Sequence, residues 1–310
     1  MMKTLKSTVA TLLVALTLTA CGTSQTVPLT GRTHRISVSD EQVLSLSNQE
    51  YTKYMQSAKK STNASNTAMV KRVGQNLATA VETYLKQNGY ASDVKNYSWE
   101  FNLVQDNSAN AFCMPGGKIV VYEGLLPYTQ NETCLAIVLG HEIAHAVAKH
   151  SAEQLTKQQS QQVGTGILGT VLNSAVGNGV GTVASNVASQ YFSFRNLKYS
   201  RDNETEADYM GLVFAAMAGY DPQQAIPFWQ RMSQASGSSN KSDIFSDHPS
   251  DAKRIAALQQ EMPTALKYYK GASTGKSAAS STAKKTSTTS TRKKTTSISA
   301  NKLLDATTKK

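Results

Sequence analysis

The sequence predicts an α+β fold, mainly helical, with a small antiparallel sheet beside the helix that carries His141-Glu142-Ile143-Ala144-His145. Three observations lead there. Long stretches repeat apolar residues at helical spacing, one stretch in the first half switches to a period of two around a Pro-Gly-Gly break, and helical patterns then resume as far as Met262. A length of 310 residues suits one sizeable domain with tails. The expected organisation is an export signal over 1–20, a flexible tether over 21–38, a folded domain over 39–265 and a disordered tail over 271–310.

At the front, Lys3 and Lys6 precede an apolar run from Val9 to Leu18 and a small-residue boundary at Ala20-Cys21, the pattern of a secretory signal. The run falls short of the roughly 20 residues that a bilayer span needs. "LTAC", Leu18 to Cys21, resembles the lipobox of bacterial lipoproteins, which implies cleavage before Cys21 and lipid on that cysteine. Acyl chains hold a protein to a membrane by about 0.8 kcal/mol per buried CH₂, so several give stable anchoring. The expected location is the cell envelope, lipid-anchored in the outer membrane and facing the periplasm, because no Asp follows Cys21. Cys113 and Cys134 then sit in an oxidising compartment, where a disulfide between them is allowed.

The formal charge of +11 is concentrated at the ends. Residues 271–310 carry eight Lys, one Arg and one Asp, and the signal carries Lys3 and Lys6, which leaves +1 for the rest. The domain is therefore nearly neutral, and nucleic acid is excluded as a partner. The Ser/Thr/Lys-rich tail buries almost nothing and should be disordered. The plainer expectation is a solubilising tail; contact with anionic lipid or envelope polymer is the partner class it would suit.

The elements follow in order. Ser39 and Gln42 form a capping box that starts a helix reaching about Lys59. Met69, Val73, Leu77 and Val81 mark a second helix, stopped at Asn88-Gly89. Both are expected before any strand. Trp99, Phe101 and Leu103 alternate on one strand face, and "AFCMPGGKIVVYEGLL" reads as strand, turn and strand. Asn131 caps the helix carrying His141 and His145, and later helices are expected over about 203–218, 222–235 and 249–262. Residues 158–194 carry no charge and are rich in Gly, Ala, Ser and Val, which suits loose helical packing or a mobile flap beside the site.

The chemistry lies in the capped helix. His141 and His145 are four apart, so they share a face and can share one metal ion. Glu142 lies about 100° round from His141 and can reach a water without being a ligand. Leu135, Ile137, Val138, Leu139, Ile143, Ala144 and Val147 make the helix apolar almost all round. Ionisable groups there carry a large desolvation cost unless coordinated or paired. A catalytic zinc usually has three protein ligands. His150 is nine positions from His141 and faces the other way, and His34 lies in the expected tether. Glu204 and Asp208 are four apart and share a face, whereas Glu206 is expected to turn to solvent. Glu204 as third ligand, with Asp208 orienting an imidazole N–H, stands beside the plainer reading of a solvated acidic helix start; the residues alone leave both open.

"HEIAH", followed some sixty residues later by "SRDNETEAD", resembles the gluzincin metallopeptidases of family M48. "NAFCMPGGKIVVYEGLL" and "DHPSDAKRI" match two further motifs of that family in the same order. "VPLTGRTHRISVSDEQ" is similar to the front of its mitochondrial Oma-like branch, so the likeness runs from about Val27 to Met262. The resemblance implies a zincin-type metallopeptidase domain with one zinc per chain, Glu204 as third ligand beside His141 and His145, and Glu142 as general base. It also implies Asp208 behind the ligands, His248 over the metal as a gate or oxyanion group, and Arg254 nearby. Asn110, Ala111, Phe112, Gly116 and Gly117 belong to the strand pair on which an extended peptide can add by main-chain hydrogen bonds. The expected activity is an endopeptidase acting on unfolded or misassembled envelope polypeptides. Two alternatives remain, a latent zinc-containing chaperone or adaptor and a structural lipoprotein that tethers envelope polymer.

Overall fold

The computed structural model describes residues 22–171, 193–194, 197–236 and 252–270. Cys21, His248, the tail over 271–310 and most of the uncharged segment lie outside the described residues, and so do the expectations placed on them.

The chain opens with a hairpin, β1 (Thr23–Thr26) and β2 (Thr33–Ile36), paired antiparallel. A tether and then helices were expected there, but His34 and Ile36 alternate inward while their neighbours stay exposed. The hairpin's buried contacts are largely polar, so the apolar pattern does not announce it. Helix α1 (Asp40–Ser57) starts at the Ser39–Gln42 capping box, in which both reciprocal bonds are present. Helix α2 (Ala64–Gln87) buries Val73, Leu77 and Val81 with Val70, Ala78 and Leu85 on one stripe and ends at Asn88. A single turn, α3 (Ala91–Val94), leads to the sheet.

Strands β3 (Glu100–Val104), β4 (Ala111–Met114) and β5 (Lys118–Tyr122) form a sheet in the order β3-β5-β4. The turn between β4 and β5 uses Gly116 and Gly117 at φ +89° and +82°, where a side chain would be strained. The sheet is mixed rather than purely antiparallel: β4 pairs antiparallel with β5, but β3 pairs parallel with it. The chain reverses between β3 and β4, and β5 then inserts between them, so one neighbour of β5 must be parallel. Both faces are covered. Phe101, Leu103, Cys113, Ile119 and Val121 point into a large core, while Val104, Phe112, Met114, Val120 and Tyr122 point into a second, smaller one. Residues of one strand alternate between the cores, as the two-residue period of a strand requires.

Beyond β5, a 3₁₀ turn (Glu123–Leu125) and a short helix α4 (Leu126–Thr129) lead to α5 (Glu132–Val147). Asn131 caps α5 by accepting from the Cys134 N–H at 2.9 Å. Lys149, at φ +54°, breaks the helix, and α6 (His150–Val171) starts directly after it. Helix α7 (Arg201–Met217), α8 (Ala225–Ser236) after a 3₁₀ turn at Pro222–Gln224, and α9 (Ala252–Tyr268) complete the described fold. Among the described residues no helix is long and apolar enough to cross a membrane.

Helix α5 packs most extensively on α7, and two glycines explain how close they come. A Cβ on Gly140 would lie 2.6 Å from the Gly211 carbonyl oxygen, and one on Gly211 would lie 2.5 Å from the His141 nitrogen. Backbone meets backbone at this crossing. That approach sets the spacing between the histidines of α5 and the carboxylates of α7.

Candidate metal centre

His141, Glu142 and His145 are all buried, at 3%, 4% and 1% exposure. The two imidazoles point the same way from successive turns of α5, with their Nε2 atoms 3.1 Å apart. Glu204 in the first turn of α7 reaches both, at 3.5 Å from His141 Nε2 and 3.4 Å from His145 Nε2. All three donor atoms lie within 4.8 Å of one another. Glu204 is therefore turned into the domain and is not part of a solvated helix start. Ser200 and Asn203 cap α7 reciprocally and fix where its first turn lies.

The opposite ring nitrogens are held as well. His141 Nδ1 lies 2.9 Å from Asp208 Oδ1, and Arg254 Nη2 donates to the same oxygen at 2.6 Å. The guanidinium carbon of Arg254 stands 3.5 Å from the centroid of the Trp229 ring, so Arg254 is held between an anion and an aromatic face. Burial opposes charge on His141, but hydrogen bonds to Asp208 and Glu204 raise it to about 9. Burial likewise pushes Asp208 up, yet Arg254 and His141 hold it below the ordinary carboxylate range. In the tautomer that donates Nδ1–H to Asp208, which a metal would select by displacing the proton from Nε2, the Nε2 lone pair of His141 faces Glu204 and His145, as a ligand requires.

His145 has a different backing. Its Nδ1 lies 2.9 Å from His150 Nδ1, and His150 Nε2 lies 2.9 Å from Glu206 Oε2. His150, expected from 100° per residue to be a poor ligand, does stay outside the donor cluster, but Lys149 breaks the helix and the His150 ring comes back against His145. Glu206 is buried rather than turned to solvent, because Thr30 and Arg32 of the hairpin bond it at 2.6 and 2.8 Å. His34, expected in a tether, is buried against Glu153 at 3.1 Å. Tyr199 stacks on His145 with centroids 4.1 Å apart and meets Ser151 through its hydroxyl at 2.9 Å. Tyr199, Trp229 and Arg32 support the centre without having been singled out from the sequence, and His150, weighed there only as a ligand, supports it from behind His145.

Cys113 and Cys134 are both buried free thiols. Cys113 Sγ faces the Met114 carbonyl at 3.6 Å on β4, whereas Cys134 Sγ meets Arg231 at 3.5 Å in the first turn of α5. The allowed disulfide is not formed, because the two elements direct their sulfurs at different partners. Asn110, Ala111, Phe112 and Gly117 lie on or beside β4 and its turn and are buried. Strand β4 packs directly on α5.

Two buried imidazoles whose Nδ1 atoms face Asp208 and His150, with the Glu204 carboxylate near both Nε2 atoms, define a metallopeptidase-type centre on a helical domain. A model of peptidase family M48 matches residues 64–262, and the chain belongs to that family. It is 37% identical over 186 residues to the mitochondrial metalloendopeptidase OMA1 of Schizosaccharomyces pombe, covering 60% of this chain and 53% of that one. Against the human metalloendopeptidase OMA1 it is 29% identical over 246 residues, 77% of this chain and 46% of the relative. Against the β-barrel assembly-enhancing protease of Escherichia coli it is 27% identical over 170 residues, 54% and 35% respectively. The chain thus spans about half, or less, of the length of these relatives.

Proposed function

We propose that this protein is a zinc-dependent endopeptidase of the bacterial cell envelope that hydrolyses peptide bonds in unfolded or misassembled proteins. The observation that carries the proposal is the convergence of His141 Nε2, His145 Nε2 and Glu204 with Glu142 on the next residue of the same helix. Two nitrogens and one carboxylate oxygen are a donor set that suits zinc. The donors fit the ion because each imidazole has its other nitrogen committed to a neighbour. Bound there, zinc supplies Lewis acidity that polarises the scissile carbonyl and lets water lose a proton near neutral pH.

The chain's own groups do the rest. Glu142 accepts a proton from water as the oxygen adds to the carbonyl carbon, then returns it to the amine as the C–N bond breaks. Asp208 and Arg254 hold His141 in one orientation throughout. An extended peptide docks along β4, whose only strand neighbour among the described residues is β5. Recognition through main-chain hydrogen bonds reads backbone more than sequence, which supports unfolded polypeptides as substrates.

The envelope location is supported by the lipobox-like "LTAC" at Leu18–Cys21 and by similarity to a relative named for β-barrel assembly. Lipid on Cys21 anchors the chain to the outer membrane facing the periplasm, and the basic tail touches anionic surface. His248, six residues before Arg254 in the sequence, gates the centre. Purified protein with zinc is expected to cleave an unfolded model protein, Glu142→Gln to lose that cleavage, and His248→Ala to cleave faster. Absence of cleavage by zinc-loaded wild type and His248→Ala alike would refute the proposed activity. Retention of Cys21→Ser in the membrane fraction would refute the anchor.

A further inference from the structure

We infer that His150, backed by Glu206 and the N-terminal hairpin, is a positioning residue for the metal ligand His145, so that the hairpin is a working part of the centre. The inference rests on the metal-centre reading above and adds to it a relay that the ligand spacing does not contain.

For His145 to present a lone pair at Nε2, its proton must sit on Nδ1. That nitrogen lies 2.9 Å from His150 Nδ1, which must then accept, leaving the His150 proton on Nε2. This proton points at Glu206 Oε2, also 2.9 Å away. The tautomers assigned to this network are thus all determined by one requirement at the metal. Glu206 cannot drift, because Thr30 Oγ1 donates to Oε1 at 2.6 Å while Arg32 donates to Oε2 from Nε at 2.8 Å and lies 2.7 Å from it through Nη2. Arg32 Nη2 also bridges to Glu153 at 2.9 Å, and Glu153 holds His34 at 3.1 Å and Lys157 at 2.9 Å. Both rings are buried, with His150 at 1% exposure, so no solvent competes for these bonds.

The two ligands are therefore held by different means. His141 leans on a carboxylate directly, and His145 leans on a neutral imidazole that leans on a carboxylate. The last anchor of the second relay is a pair of side chains from the turn that joins the two strands of the hairpin, more than a hundred residues away in sequence. Removing His150 takes away the partner at His145 Nδ1 and lets the tautomer exchange, which weakens the metal without touching a ligand.

The test uses the purified full chain as wild type, His150→Leu, His150→Gln and Arg32→Gln, with thermal melts by circular dichroism as the check on folding. Zinc affinity is measured by competition with a chromophoric chelator, and the visible absorption of the cobalt-substituted protein reports ligand geometry. Loss of such an outer partner weakens metal binding by about 10–100-fold, so His150→Leu should fall in that range with a shifted cobalt band, whereas His150→Gln, able to accept and donate, should stay within about threefold of wild type. Arg32→Gln, a half-exposed side chain, should fold normally and bind zinc more weakly than wild type. Wild-type affinity and an unshifted cobalt band in His150→Leu would overturn the relay, as would equal weakening by Leu and Gln. Should His150→Leu not fold, Arg32→Gln decides: weakened binding supports the relay and unchanged binding overturns it. A wild-type chain that binds neither zinc nor cobalt would instead refute the metal centre itself.

Discussion

Replacing Gly211 with alanine adds one methyl group at the point where α7 touches α5. Its carbon would stand 2.5 Å from the His141 nitrogen and 2.7 Å from the His141 Cα, against an ordinary contact that begins at 3.4 Å, so the helices must separate by about 0.9 Å. Neither contacting atom can rotate away, because both are backbone. Helix propensity alone favours alanine over glycine by about 1 kcal/mol and predicts a more stable protein. Overpacking of a close-packed contact costs about 1–3 kcal/mol, and the upper end applies where no side chain can yield. The net expectation is a loss of about 2 kcal/mol. The larger effect falls on the site: Glu204, Asp208 and Gly211 lie on the same face of α7, so the retreat carries the third ligand and the partner of His141 away from α5. A displacement near 1 Å in a reacting array costs about 10²-fold in rate. The assay is kcat/KM on an unfolded model substrate beside a thermal melt. A Gly211→Ala protein that is more stable than wild type and equally active would refute the reasoning.

Three further perturbations separate the parts of the account. Glu142→Gln should lower cleavage by about 10²–10⁴-fold while leaving zinc content at the wild-type level, since Glu142 is outside the donor cluster; lost metal would contradict its assignment as base. Arg254→Met leaves Asp208 buried with one fewer cationic partner and should cost about 3–5 kcal/mol in urea unfolding; Arg254→Lys should not restore it, because a compact ammonium cannot both bond Asp208 and lie flat on Trp229. Acid should destabilise the fold in a defined window. Burial pushes Glu206 up, but His150, Arg32 and Thr30 hold it down to about 2, and Glu153 is lowered as well, so these groups stabilise fully above the ordinary value of 4.5 and progressively less as pH falls towards 2. His150, lowered from 6.5 by burial, acts with the same sign and begins to do so below that pH. Urea unfolding at pH 7 and pH 3 should show a smaller difference in Arg32→Gln than in wild type, and an equal difference would contradict the assignment.

The histidine pair of the candidate centre was legible because its signal is local, whereas Glu204 as its third member needed the family resemblance to set it apart from a solvated helix start. Four-residue spacing puts His141 with His145 and Glu204 with Asp208 whatever the rest of the fold does. The capping box at Ser39 and the stop at Asn88 were legible for the same reason. His150 was not, because its position depends on one backbone angle at Lys149 that no pattern in the neighbouring residues announces. Glu206 followed helical geometry correctly to the face opposite Glu204, but that face is covered by Thr30 and Arg32 from a distant hairpin. The hairpin itself has four-residue strands, mostly polar, so no apolar alternation marks it. The parallel pairing of β3 with β5 is likewise a consequence of chain topology, which residue types do not encode. Gly140 and Gly211 did carry a readable signal: a glycine inside an otherwise good helix invites the question of what approaches it.

The central claim is that one ion is held jointly by α5 and α7. Anomalous diffraction at the zinc edge, on crystals of the full chain grown with zinc, tests it most directly. The account predicts a single strong peak per chain, about 2.0–2.2 Å from His141 Nε2, His145 Nε2 and a Glu204 carboxylate oxygen. A peak bound to other residues, or a Glu204 carboxylate turned away from an ion held by the histidines alone, would contradict it.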